Sequence, residues 1–153
     1  MLILGLDPGS TRVGYGLIKK EKNELKFVEA GLLKITSQNK SQRLLELEKS
    51  FNQLLKKYKP DIAAVEKLFF VKNIKTGLEV AQSIGVLTLL IAKHKIELLE
   101  YAPLEVKQIL TGYGLADKIA VAKMVIRILK IDKIKGPDDI TDALAIAIAA
   151  SKI

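Results

Sequence analysis

Four carboxylates stand where catalytic chemistry is most readily built. Asp7 ends the apolar run of residues 2–6 and runs straight into Pro8-Gly9-Ser10, which is turn chemistry. Glu66 ends a second apolar run, Ile62-Ala-Ala-Val65. Asp139 and Asp142 lie three apart at the start of the last apolar segment, so on a helix they share one face. A carboxylate at the end of a buried strand is exposed at the edge of its sheet. If the two strands are neighbours, Asp7 and Glu66 converge, and a helix packed nearby adds Asp139 and Asp142. Such a cluster repels itself, and each member raises the pKa of the others. A divalent cation removes that cost, and hard oxygen ligands suit Mg²⁺ or Mn²⁺. Two ions per active site, about 3.5–4 Å apart, would hold a phosphodiester, activate water and stabilise the leaving oxygen. Each residue also has a plainer role. Asp7 suits an Asx-turn, and Asp138, Asp139 and Asp142 suit the positive end of a helix dipole. Spacing alone leaves both roles open.

Composition narrows the chemistry further. The chain has no cysteine, which excludes a disulfide framework and a cysteine-based zinc site. His94 is its one histidine, so Ser-His-Asp catalysis and histidine-rich metal sites are disfavoured, and carboxylates must carry any acid, base or metal work. The net charge is +8, a balance that favours a polyanionic partner, with nucleic acid foremost. Of the 25 basic residues only Arg12, Arg43 and Arg127 are arginines. Bidentate reading of guanine uses arginine, so a lysine-rich surface points toward recognition of backbone shape. Apolar stretches such as residues 84–92 are expected to be too short to span a bilayer. The apolar start without a basic leader predicts a soluble, cytoplasmic protein with no membrane association.

The elements that must position these residues follow from periodicity. Residues 2–6, 13–18 and 25–35 read as three antiparallel strands, with the charges of residues 19–24 at a hairpin turn. Residues 41–58 carry leucines and Phe51 at helical spacing, with Ser41 as the expected N-cap and Pro60 as the stop. Residues 61–66 and 96–101 read as strands. Helices are expected over 77–95, 103–110, 116–130 and from 138 onward, the second opening with Pro103. The 153 residues suit a single domain, 1–153, of the α/β class, with a mixed five-stranded sheet and helices on both faces.

Several motifs in order carry a resemblance. Leu6-Asp-Pro-Gly-Ser10 is followed by Gly14-Tyr-Gly16, and Val65-Glu-Lys-Leu-Phe69 by Lys72-Asn73. Then come Tyr101-Ala-Pro103, Val106-Lys-Gln108, Gly112-Tyr-Gly114 and Lys118, and last Asp139-Ile-Thr-Asp-Ala-Leu-Ala145. Together they resemble the RuvC family of bacterial crossover junction endodeoxyribonucleases, essentially end to end. The resemblance implies an RNase H-like fold and Asp7, Glu66, Asp139 and Asp142 as metal ligands and catalytic residues. Asp138 stands beside Asp139, and the spacing to Asp142 favours Asp139. It implies Mg²⁺ dependence, a homodimer, symmetric cutting of four-way DNA junctions at a thymine-containing sequence, and branch-migration partners of the RuvA and RuvB type. It matches Lys107 and Lys118 to lysines at the DNA and the active site, where they would neutralise phosphate, Lys118 at the scissile one. Phe69 would stack on an unpaired base at the junction centre, or else be a core aromatic.

Two rival classes fit fragments of the sequence. Asp7-Pro-Gly9 also suits a sugar-kinase or actin-like ATPase, but that class needs a second similar domain, for which 153 residues leave no room. A junction-binding module without catalysis would not need all four carboxylates.

Overall fold

The computed structural model describes residues 1–67 and 73–152. Among the described residues the order is β1 (Leu2–Pro8), β2 (Val13–Glu21), β3 (Glu24–Leu32), α1 (Lys40–Tyr58), β4 (Ile62–Glu66), α2 (Ile74–Lys93), β5 (Glu97–Tyr101), α3 (Pro103–Thr111), α4 (Lys118–Leu129) and α5 (Asp138–Ala150). The strands form one sheet in the order β3-β2-β1-β4-β5. The β1–β2 and β2–β3 pairs are antiparallel, while β1–β4 and β4–β5 are parallel. The expected α/β architecture is therefore the one observed: a mixed sheet of five strands covered on both faces.

Period-two alternation decides what each face holds. Leu4 and Leu6 of β1 and Ala63 and Val65 of β4 join Leu47, Phe51, Leu54 and Leu87 in a core on the α1–α2 side. Ile3 and Ala64 point the other way, into a core with Val106, Val125 and Leu144 from α3, α4 and α5. Asp7 and Glu66, each one residue past an inward Leu6 or Val65, belong by the same alternation to the α5 face.

Helix α5 is the centre of that second layer and is buried along almost its whole length from Ala143 to Ala150. It lies against backbone rather than side chains. A Cβ on Gly5 would stand 2.0 Å from the Ala143 carbonyl oxygen, and one on Gly16 would stand 2.8 Å from the Leu144 amide nitrogen. These glycines are the seat that lets the helix sink onto β1 and β2.

Helix starts differ from the expected ones because of their caps. Asn39, not Ser41, caps α1, its side-chain oxygen accepting from the Gln42 N–H at 3.1 Å. Asn73 caps α2 through the Thr76 N–H, so that helix begins at Ile74 rather than 77. Asp117 caps α4 through the Ala120 N–H at 2.7 Å, moving its start from 116 to 118. In each case a short polar side chain satisfies an amide that the first turn leaves open. The third strand ends at Leu32, short of the expected residue 35.

One expectation needs correction. Helix α2 has 20 residues and is, by length and composition, apolar enough to cross a membrane, unlike the shorter stretches considered from sequence. Its Gly77, Ser83, Leu87, Leu90 and Ile91 are buried within the protein. The remaining face, with Ile74, Leu78, Ala81, Gly85 and Leu89, is exposed.

Candidate active site

The parallel pairing of β1 and β4 runs in register to Leu6–Val65. Asp7 and Glu66 are the next residue on each strand, so both carboxylates leave the sheet side by side, toward α5. The first turn of α5 arrives at the same edge. A Cβ on Gly14, which pairs with Asp7 across β1–β2, would be 2.1 Å from the Asp139 carbonyl oxygen. The glycine thus sets where Asp139 stands. Asp142, one turn further, faces the cleft between β4, α3 and α4.

Electrostatics show the crowding. Asp7 is pushed up to about 7, first by burial and then by the charges of Asp142, Glu66 and Asp139, with Lys118 opposing. Glu66 is raised by burial and by Asp142, against Lys107 and Lys118. Asp142 is raised by burial, against Lys118, with Asp138 and Asp139 adding to the rise. All three sites thus disfavour negative charge as they stand.

Lys107 and Lys118 stand beside Glu66 and Asp142. A cleft of about 210 Å³ is lined by Glu66, Lys107, Lys118 and Asp142, over Val106, Val121, Ala145 and Ile146. The Lys118 ammonium lies 3.3 Å from Asp138 and 3.9 Å from Asp142. Its pKa is raised by the hydrogen bond to Asp138 and by the charge of Asp142. Asp138 itself turns outward, with a side chain 76% exposed, whereas Asp139 is 18% exposed. Of the two neighbours, Asp139 is the one that reaches Asp7. Phe69 lies outside the described residues.

In the sequence Arg12 stands out only as one of three arginines. The structure brings its guanidinium 3.1 Å from Asp139. The available signal was position, since Arg12 closes the turn that follows Asp7. Among the described residues no group of three or more carboxylates or imidazoles is closed to metal-holding distance. The donor set still suits a hard divalent cation: it is all oxygen, from four carboxylates, and an Asp7 carboxyl near 7 marks a site short of positive charge.

Comparison with known proteins agrees on one family. The family model described as "Crossover junction endodeoxyribonuclease RuvC" matches residues 3–150. The RuvC protein of Petrotoga mobilis is 40% identical over 148 residues, 96% of this chain and 91% of the relative. That of Halothermothrix orenii is 44% identical, covering 97% and 90%. Among solved structures, Thermus thermophilus RuvC superposes with a TM-score of 0.88 at 28% identity, over 99% of this chain and 93% of that one. The same protein in complex with Holliday junction substrate gives 0.92 at the same identity and coverage. A yeast mitochondrial resolvase, Ydc2, shares the fold at a TM-score of 0.69 and 16% identity. The sheet order, the helix placement and these likenesses make the fold RNase H-like, and the chain belongs to the RuvC family of crossover junction endodeoxyribonucleases.

Proposed function

We propose that this chain, as one nuclease domain, resolves four-way DNA junctions by symmetric, Mg²⁺-dependent phosphodiester hydrolysis in recombination and repair. The observation that carries the reading is the crowding of Asp7 by the charges of Asp142, Glu66 and Asp139 beside a cleft lined by Glu66, Asp142, Lys107 and Lys118. Asp7, Glu66, Asp139 and Asp142 are the proposed ligands, for two ions per active site. When bound, a divalent cation withdraws charge from the scissile phosphate and makes water a nucleophile at neutral pH. The protein supplies the rest. Val106, Val121, Ala145 and Ile146 wall the cleft with apolar surface, and a drier site strengthens each charge within it. Lys107 and Lys118 draw phosphate to carboxylates that would otherwise repel it. Phe69, by its motif, stacks on an unpaired base. Proteins of the RuvA and RuvB type are the proposed partners, and the cytoplasm is the proposed compartment.

A synthetic four-way junction with Mg²⁺ tests the reading, and the absence of paired, symmetric cuts would end it. The two lysines should separate in the same assay. Lys107→Ala should lower the slope of log affinity against log salt by about one, as for one lost phosphate contact, whatever the junction sequence. Lys118→Ala should reduce single-turnover cutting by about 10²–10³ with a much smaller loss of binding, because its contact strengthens as charge develops. Equal losses in binding with unchanged cutting would make Lys118 an ordinary surface lysine.

The proposed assembly is a homodimer through α2. Its exposed face carries Ile74 at 78%, Leu78 at 62% and Leu89 at 56% exposure, with Ala81 and Gly85 between them. A Cβ on Gly85 meets nothing within 4 Å, so the middle of the face is bare backbone on which a second helix can lie closely. An isologous pairing gives two active sites related by a two-fold axis, as paired cuts require. Leu89→Glu should turn a dimer at micromolar concentration into a monomer by analytical ultracentrifugation. A wild-type monomer with full cutting activity would refute the assembly.

A further inference from the structure

Arg12 lies in the turn between β1 and β2, beside Asp7. Its carbonyl oxygen accepts from the Gly9 N–H at 2.8 Å, closing the turn between β1 and β2. A Cβ on Gly9 would stand 2.7 Å from that oxygen, so the turn is as tight as backbone allows. From this anchor the guanidinium reaches Asp139 at 3.1 Å. The partners are unequal. Asp139 is largely buried, its backbone wedged against Gly14, while the Arg12 side chain is 55% exposed. The carboxylate is therefore the fixed member and the arginine the one that can leave.

A guanidinium keeps its charge at any working pH, and its planar fork suits carboxylate and phosphate alike. Two competitors follow. A divalent cation competes with Arg12 for Asp139, and a DNA phosphate competes with Asp139 for Arg12. We propose that Arg12 is an internal counter-ion that occupies Asp139 in the free protein and is drawn off by the DNA backbone, so that junction binding opens the carboxylate to metal. The coupling is reciprocal by linkage: metal on Asp139 frees Arg12 to hold phosphate. Arg12 is thus a positioning residue that makes cutting depend on DNA being seated first. The proposal rests on the reading of Asp139 as a metal ligand.

The test is Mn²⁺ binding to the full chain without DNA, followed by electron paramagnetic resonance, for wild type, Arg12→Ala and Asp139→Asn. Removing Arg12 should tighten Mn²⁺ binding about three- to five-fold, the range expected for losing a partly exposed ion pair as competitor. With junction saturating, the Mn²⁺ concentration for half-maximal single-turnover cutting should be the same for Arg12→Ala and wild type, because Arg12 has left Asp139 in both. Unchanged or weaker Mn²⁺ binding by Arg12→Ala would overturn the proposal and reduce Arg12 to a support for Asp139. Tighter binding that persists equally on DNA would also overturn it, since phosphate would then not release the arginine. Asp139→Asn separates the layers. If it leaves Mn²⁺ binding unchanged, the ligand assignment itself fails, whatever Arg12 does.

Discussion

Asp7→Asn is expected to abolish junction cutting while making the metal-free protein more stable. Asn keeps the shape of Asp but removes one charge from the proposed ligand set, on which cation binding would depend. The loss of several kcal/mol of transition-state stabilisation corresponds to about three orders of magnitude or more in rate. Binding should persist at equal or slightly higher affinity without metal, because a negative charge facing phosphate has gone. Stability moves the other way. The folded state holds the Asp7 proton to about pH 7, against 3.8 for the free side chain, so it binds that proton more tightly than the unfolded chain does. A raised carboxyl pKa gives a contribution that is complete below about pH 4 and lost as pH rises through 7. Metal-free wild type should therefore weaken as pH rises from about 4 through 7. Asp7→Asn should reduce that slope, leaving the part due to Glu66 and Asp142, and gain on the order of a few kcal/mol at pH 8, or about 5–10 °C in Tm for a chain of this size. Calorimetry in EDTA from about pH 4 to 8, beside single-turnover cutting in Mg²⁺, checks both halves. Cutting at the wild-type rate would discard the metal-site assignment, and a flat pH profile would discard the crowding of carboxylates.

Gly14→Ala should damage the same site without altering any charge. The added Cβ would stand 2.1 Å from the Asp139 carbonyl oxygen and 2.6 Å from its carbonyl carbon. Gly14 is fixed by its pairing with Asp7 on β1 and with Leu32 on β3, so the strand has little freedom to retreat. The first turn of α5 must lift instead, carrying Asp139 with it. Overpacking against backbone should cost about 3 kcal/mol. A displacement of the carboxylate near 1 Å should slow cutting about 10²-fold even where the protein remains folded. Thermal unfolding and single-turnover cutting at a temperature where the variant is fully folded separate the two effects. An unchanged Tm with cutting within two-fold of wild type would show that α5 does not rest on this glycine.

The local layer of this architecture was legible in the sequence for physical reasons that act over a few residues. Alternation and apolar runs marked β1, β2 and β4, and helical spacing of leucines marked α1. Proline and glycine marked the turns, and strand ends marked Asp7 and Glu66 as carboxylates that leave the sheet. Caps were harder. Asn39 and Asn73 outcompeted the expected starts because a cap is decided by which side chain reaches an open amide, a matter of local geometry that composition leaves unranked. The helix expected over 77–95 begins three residues earlier, where Asn73 caps it, and ends at Lys93.

By itself the sequence determined the residue chemistry: carboxylates without cysteine and with one histidine, a basic surface, the element order and the motifs that resemble RuvC. Tertiary structure alone decided which of those residues meet. Asp138 and Asp139 are indistinguishable as neighbours in a chain, but helix α5 docked on Gly5, Gly14 and Gly16 turns one toward solvent and the other toward Asp7. The pairing of Arg12 with Asp139 has no local signal at all, because it joins a turn after the first strand to the start of the last helix. The sheet covers only one side of α2, so the fold decides which of its apolar residues, Ile74, Leu78 and Leu89 among them, stay exposed. Periodicity fixes the face a side chain takes within its own element. Its partners across the fold depend on strand register and on how closely two backbones can approach, and both are settled only when the layers pack.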